Sequence, residues 1–278
     1  LASVFAALED DQDLEQEIAR FSSGEIIGEI SFLNLSPSAT TVKAVENSTI
    51  VTLSNQKLLA ILQQDLGFAT RFYRAIAILL LDRFDRLVKT FTRRQSLKIP
   101  PVQDGPLLFS ELSDSDVDWM IEHSFVEVVS PETVLIRAGR PVENLYVLLR
   151  GKVSVFFKED THSSLAQVFS MLEDFDQSDS SPAYEIASSL SGEILGETAL
   201  IDGRLPSYTF KVAEPSQVLA INKQELLIKL QQNPAMGSRF YRVVAMLLSA
   251  RLQGLINRLG YGRSSYEVGR RLSQDVKY

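Results

Sequence analysis

The chain contains two copies of one sequence unit, and this repeat constrains its fold more than any other feature. The stretch GEIIGEISFL, which begins at Gly24, matches GEILGETALI, which begins at Gly192. The stretch TRFYRAIAILLLDR from Thr70 matches SRFYRVVAMLLSAR from Ser238 at the same offset of 168 residues. A repeat of this length has the size of a domain. The sequence therefore predicts two similar modules in succession.

Each copy has the pattern of several strands followed by helices. In the second copy, ELSDSDVDWMIEHS has helical spacing of its apolar residues, whereas VEVVSPETVLIRAGR and ENLYVLLRGKVSVFF alternate in the manner of strands. A further strand is expected at SQVLAINK in the second copy and at STIVTLSN in the first. Asn222 and Ser54 are then placed to cap a helix.

A long amphipathic helix closes each copy. Its apolar residues follow the i, i+4, i+7 spacing of a helix that buries one broad face. We expect this face to meet another helix, either within the chain or between chains, and therefore a protein partner or self-association through these helices. The residues are Phe72, Ile76, Leu79, Leu80 and Leu87 in the first copy, and Phe240, Val244, Leu247, Leu248 and Leu255 in the second.

The first copy lacks a counterpart to the front of the second. SVFAALEDD at Ser3 aligns with SVFFKEDTH at Ser154, so residues 105–153 have no upstream match. A half-built sheet would leave unpaired edges. We expect the sequence to be part of a longer chain, and the alternative is a partner chain that supplies the strands. The predicted organisation is a first, incomplete domain at 1–92, a linker at 93–104, a second domain at 105–260 and a tail at 261–278.

Composition excludes several classes of function. The chain has no cysteine and two histidines, which argues against disulfides, thiolate metal sites and a histidine centre. A net charge of −7 gives no general attraction to nucleic acid. The most apolar run, AIAILLL from Ala75, is far shorter than the roughly 20 residues that cross a bilayer. We expect no metal, no nucleic acid, no membrane insertion and a cytoplasmic location.

The stretch GEISFLNLSPSATTVKA from Gly28 resembles the phosphate-binding cassette of the cyclic nucleotide-binding domain family, which includes catabolite-activator and protein kinase A regulatory-subunit types. The resemblance implies a mixed β and α fold of two jelly-roll-like β-rolls, each followed by closing α-helices. It also implies a site for cyclic AMP or cyclic GMP, in which Glu29 and Glu197 accept the ribose 2′-hydroxyl and a helix N-terminus faces the phosphate. The candidate residues are Gly28, Glu29, Ile30, Ser31, Ser38 and Ala39 in the first cassette, and Gly196, Glu197, Thr198, Ala199, Arg204, Ser207 and Tyr208 in the second.

Both cassettes depart from the family where its arginine pairs with the phosphate. Ser38 and Ser207 stand at that position. Loss of such a charge-assisted bond weakens binding by about 1.5–3 kcal/mol, or roughly 10- to 150-fold. Tyr208 could fill the phosphate volume of the second cassette, and Arg204 is a candidate substitute for the arginine. The first cassette is therefore the better candidate, and the alternative is that Gly-Glu serves turn geometry alone in both.

These observations predict a non-enzymatic regulatory or protein-interaction module with two degenerate cyclic-nucleotide pockets. No serine, histidine and acid set suggests catalysis. About twenty residues follow Leu259, and their composition does not suggest a DNA-reading domain. No cofactor is certain. The rival hypothesis is a working cyclic AMP or cyclic GMP sensor that transmits binding through its C-terminal helices.

Overall fold

The computed structural model of the chain describes residues 2–7, 15–34, 38, 40–92, 110–158 and 183–274. Its contacts divide it into two compact units. The first unit combines Leu1–Leu81 with Gln231–Tyr278, and the second is Asp82–Leu230. Each unit therefore joins the body of one repeat to a closing helix, or part of one, from the other repeat.

The first unit contains one antiparallel sheet. Its strands are β1 (Ala2–Ala7), β2 (Glu15–Phe21) and β3 (Thr40–Ala44), in the order β2-β1-β3. Between β2 and β3 lies the short helix α1 (Glu29–Asn34). Helices α2 (Asn55–Gln64) and α3 (Leu66–Thr92) follow, and α6 (Pro234–Gln274) comes from the end of the chain. Helix α6 therefore continues into the predicted tail.

The closing helices bury the apolar faces that their spacing predicts. Ile76 and Leu80 of α3 and Val244 and Leu248 of α6 are almost completely buried. Within the first unit the two helices also meet: the Thr70 hydroxyl donates to the Pro234 carbonyl oxygen at 2.9 Å. This contact lies at the beginnings of both helices, so the prediction that their apolar faces pack against another helix stays a prediction.

The second unit contains two four-stranded antiparallel sheets. Before its first strand lies α4 (Asp114–Glu122), whose first turn is capped by a bond of 3.0 Å from the Ser113 N–H to the Asp116 carboxylate. One sheet has the order β5-β10-β7-β8 and the other β4-β11-β6-β9. The strands are β4 (Ser124–Val129), β5 (Val134–Ile136), β6 (Asn144–Arg150), β7 (Val153–Lys158), β8 (Ala183–Ser189), β9 (Ile194–Leu195), β10 (Tyr208–Val212) and β11 (Ser216–Asn222).

The core of this unit is made by apolar residues of both sheets. Leu148, Val153, Leu195 and Val218 belong to one buried cluster to which strands of both sheets contribute. Helix α5 (Lys223–Gln232) follows β11, and the Asn222 side chain accepts bonds from the backbone N–H groups of its first turn at 2.9 and 3.2 Å, as predicted. The predicted fold class, β-rolls with closing helices, is confirmed.

One strand prediction is wrong. STIVTLSN of the first copy forms no strand, although SQVLAINK at the equivalent position forms β11. β11 lies between β4 and β6, and the first copy has no sequence equivalent of these strands. Alternating β-branched residues favour a strand only when neighbours complete its hydrogen bonds. Ser54 does stand at the N-cap of α2, but its side chain makes no capping bond.

Candidate functional site

In the second cassette, Gly196 connects β9 to a single 3-10 turn, Glu197–Leu200. Gly196 has φ +90°, and a Cβ there would approach the Ile136 side chain at 3.0 Å and the Asn144 carbonyl oxygen at 3.3 Å. Glycine is therefore required by both conformation and space. Glu197 and Ala199 are buried directly after it, whereas Thr198 is half-buried.

Two acidic residues of α3 contact the second half of this cassette. The phenol of Tyr208 donates a hydrogen bond of 2.6 Å to Oδ1 of Asp85, and the hydroxyl of Ser207 donates one of 3.3 Å to Oδ2. The carboxylate of Asp85 thus accepts hydrogen bonds from Ser207, which stands in place of the family arginine, and from the next residue, Tyr208. One turn earlier, Asp82 pairs with Nη1 of Arg204 at 2.7 Å.

The side chain of Arg204 is held by the carboxylates of Asp82 and Asp202. It is half exposed. The hydrogen bond to Asp82, followed by the bond to Asp202, raises the pKa of Arg204. The candidate substitute for the family arginine is therefore already engaged by two carboxylates of the chain.

The ring of Tyr208 fills space inside the second unit. Tyr208 is buried and lies edge-on to Phe84 of α3, with ring centroids 6.2 Å apart, and 6.0 Å from Phe157 of β7. Burial, and then the charge of Asp85, raises the pKa of Tyr208 well above its ordinary value, so the phenol remains a donor. Burial also raises the pKa of Asp85, although the bond from Tyr208 and the charge of Lys89 oppose the shift.

The first cassette begins with the same backbone turn. Gly28 has φ +91°, but a Cβ there would have no atom within 4 Å. Glu29 at the start of α1 is buried, and Ile30 and Ser31 are half-buried. Phe32 is buried against Phe72 of α3, with centroids 5.9 Å apart. The turn thus resembles that of the second cassette, but among the described residues no strand side chain lies against Gly28 as Ile136 lies against Gly196.

Ser38, which replaces the family arginine here, is exposed and bonded locally. Its hydroxyl donates to the Thr40 carbonyl oxygen at 2.8 Å and accepts from the Thr40 N–H at 3.3 Å. Ala39 lies outside the described residues. These bonds fix the entry to β3 and leave a neutral hydroxyl where the family has a positive charge.

Helix α6 contacts the first cassette through neutral groups. The Asn34 amide at the end of α1 donates to the buried hydroxyl of Ser249 at 3.1 Å and to Oε1 of Gln253 at 3.5 Å. Gln253 is 168 residues after Asp85 and is therefore its repeat equivalent. Sequence reasoning missed Asp85, Asn34 and Gln253, although alignment of the polar positions of α3 with those of α6 would have singled out the acid.

The described residues offer little for other chemistry. Among them there is no group of three or more histidine and acidic side chains that could hold a metal ion. A search of the same residues for a helix long and apolar enough to cross a membrane finds none.

Comparison with known proteins gives one family match and several distant relatives. The family model "Cyclic nucleotide-binding domain" matches residues 3–65 and 126–233, which is more than half of the chain. The cAMP-activated global transcriptional regulator CRP of Pasteurella multocida is 25% identical over 123 residues, which are 44% of this chain and 49% of the relative. The chain thus spans about half the length of that curated relative.

Two solved structures are similar to this chain at low identity. A cyclic nucleotide-binding domain from Methylobacillus flagellatus is 19% identical, with a TM-score of 0.44, over 56% of this chain and 80% of that one. The catabolite activator protein of Thermus thermophilus is 17% identical, with a TM-score of 0.35, over 60% of this chain and 63% of that one.

Proposed function

The chain belongs to the cyclic nucleotide-binding domain family, and from this membership we propose that it is a non-enzymatic regulatory module with unequal cassettes. The second cassette is filled by groups of the chain itself and takes no cyclic nucleotide. The first is the place where a nucleotide would bind, with low affinity. The output of the module is a protein interaction or self-association governed by the closing helices.

This proposal rests on one observation: the carboxylate of Asp85 accepts hydrogen bonds from the hydroxyls of both Ser207 and Tyr208. A cyclic phosphate placed at the family position would lie beside this negative charge. Two like charges about 4 Å apart repel by about 4 kcal/mol at the effective dielectric of a site near the surface. The Tyr208 ring takes up space in the same region. Charge and volume therefore both oppose a nucleotide in the second cassette.

Neither obstacle is present among the described residues of the first cassette. Gln253 stands where the other unit has Asp85, so the helix that contacts this cassette brings an amide instead of a carboxylate. Glu29 is buried at the start of α1, in the position of the family's ribose acceptor. Ser38 offers no positive charge, which supports weak binding. This cassette is also the basis of the rival hypothesis, a working sensor, because Asn34 bonds α6 directly.

Isothermal titration calorimetry of the whole chain with cyclic AMP and cyclic GMP tests the proposal. We expect dissociation constants weaker than about 10 μM, equivalent to roughly −7 kcal/mol. Tighter binding would support the sensor hypothesis instead. Glu29→Gln and Glu197→Gln form a matched pair that assigns any weak signal to a cassette. We expect Glu29→Gln to reduce it and Glu197→Gln to leave it unchanged, and equal effects would contradict the ranking.

A further inference from the structure

One sheet of the second unit has aliphatic side chains on the face that points away from the core. Strand β11 lies between β4 and β6, and Leu219 stands opposite Val126 on one side and Val147 on the other. Val128, two residues after Val126 in β4, shares their face. We call these four side chains the outer face. The side chains that alternate with them, such as Val218, belong to the buried core of the unit.

Part of this apolar surface is covered and the rest is open. Ile221 and Leu145 lie opposite each other two residues further along β11 and β6, and they are 0% and 1% exposed. Val126 is 53% exposed and Val128 83% exposed. An antiparallel sheet with one face on the core ordinarily presents polar side chains to solvent. Contiguous exposed apolar side chains mark interaction surfaces, so the outer face has the character of a docking site.

The size of the outer face restricts what can cover it. It has four aliphatic side chains, and those of Val147 and Leu219 are already half-buried. A stable complex of separate proteins buries roughly 800 Å² on each partner, which is more than these side chains offer. A segment of the same chain can cover a smaller face, because its tether gives it a high effective concentration. The outer face therefore favours an occupant from its own unit.

The connection between β7 and β8 contains an amphipathic pattern. It comprises residues 159–182, which lie outside the described residues. Its sequence SLAQVFSMLEDF from Ser164 has the i, i+3, i+4, i+7, i+10 spacing of a helix with one apolar side, at Leu165, Val168, Phe169, Leu172 and Phe175. Ser164 and Gln167 match the capping box of a helix start. A helix this short is marginal alone in water and needs a surface to pack on.

We propose that the outer face is the docking site for residues 164–175, which pack on it as an amphipathic helix. The connections on either side, residues 159–163 and 176–182, span roughly 16 and 23 Å when extended, compared with about 10 Å between stacked sheets. Arg150 is exposed and stands opposite Gln217, in the row of Val128, so the face has a positive rim. Glu173 and Asp174 of the segment supply the opposite charge. The proposal requires no nucleotide in either cassette.

Thiol alkylation of the whole chain tests whether the outer face is covered. The sequence has no cysteine, so a single introduced thiol reports the exposure of one position. Val128→Cys places it on the outer face, and Val51→Cys is the matched control, because Val51 is 90% exposed in the first unit. We expect Val128→Cys to be alkylated about 10-fold or more slowly than Val51→Cys, since a docked helix exposes the thiol only when it opens. Equal rates would overturn the proposal.

A second substitution identifies the occupant. Leu172→Asp puts a charge on the apolar side of the segment and should remove the slow alkylation of Val128→Cys. Ser170→Asp puts the same charge on the polar side and should leave it slow. Slow alkylation that persists with Leu172→Asp would mean that another group covers the face, and slow alkylation that disappears on dilution would indicate a second copy; either result contradicts the proposal. Trp119 fluorescence during urea denaturation checks that each variant folds.

Discussion

The bond between Asp85 and Tyr208 gives the sharpest test of the second cassette. At 2.6 Å it joins a buried phenol to a carboxylate of α3. Tyr208→Phe removes the donor and keeps the ring, whereas Asp85→Ala removes the acceptor and leaves the phenol without this partner. Hydrogen bonds to charged groups contribute about 1.5–3 kcal/mol. Asp85 is half-buried, which reduces the net value, so we expect a coupling of about 1–2 kcal/mol in a double-mutant cycle.

The sole tryptophan of the sequence makes the assay specific to the second unit. Trp119 lies in α4, and its fluorescence during urea denaturation reports the unfolding of this unit. Asp82→Ala is the matched control on the same helix. Its ion pair with Arg204 is about half exposed, so its loss should change the free energy of unfolding by less than about 1 kcal/mol. A coupling between Asp85 and Tyr208 below about 0.5 kcal/mol would refute the reasoning, since the carboxylate would then not hold the cassette.

Three further predictions follow from the same geometry. Gly196→Ala should destabilise the chain by about 1–2 kcal/mol more than Gly28→Ala in thermal melts, because both have positive φ but only the first added Cβ meets other atoms. Burial raises the pKa of Asp85 above its ordinary 3.8, so between 3.8 and the raised pKa the folded chain binds more protons than the unfolded chain. The stability contributed by Asp85 should therefore fall as the pH rises from 3.8 through the raised pKa, and it should remain low at higher pH. Asp85→Asn should remove this fall in urea titrations at different pH. Ser38→Arg should increase cyclic-nucleotide affinity in calorimetry of the whole chain by about one to two decades.

The fold could be predicted because its signals are local. Closing-helix faces follow from the spacing of residues such as Ile76 and Leu80, and the strands of the second copy follow from alternation and turn glycines. STIVTLSN carried the same local signal and failed. A strand needs neighbours, and the local alternation of STIVTLSN does not reveal that they are missing, although the repeat comparison does.

The cassette residues were predictable by position but not by environment. The motif located Ser207 and Tyr208, yet Asp85 is 123 residues from Tyr208 in sequence. The periodicity of α3 does not predict that Asp85 contacts Ser207 and Tyr208 in the other repeat. Arg204 illustrates the same limit. Its charge and position in the motif suggested that it could bind a phosphate, but in the structure it forms ion pairs with Asp82 and Asp202.

The difference in charge between the cassettes lies in one pair of equivalent helix positions, Asp85 and Gln253. In the family pattern an arginine attracts the phosphate, whereas the second cassette has two hydroxyl donors, Ser207 and Tyr208, that bond the carboxylate of Asp85. An arginine restored at Ser207 would therefore have an acid of its own chain within reach, and neutralisation by Asp85 would compete with phosphate binding. At the equivalent helix position the first cassette faces Gln253, which cannot neutralise an arginine. Restoring the charge is for this reason expected to succeed at Ser38 and to fail at Ser207 unless Asp85 and Tyr208 are also replaced.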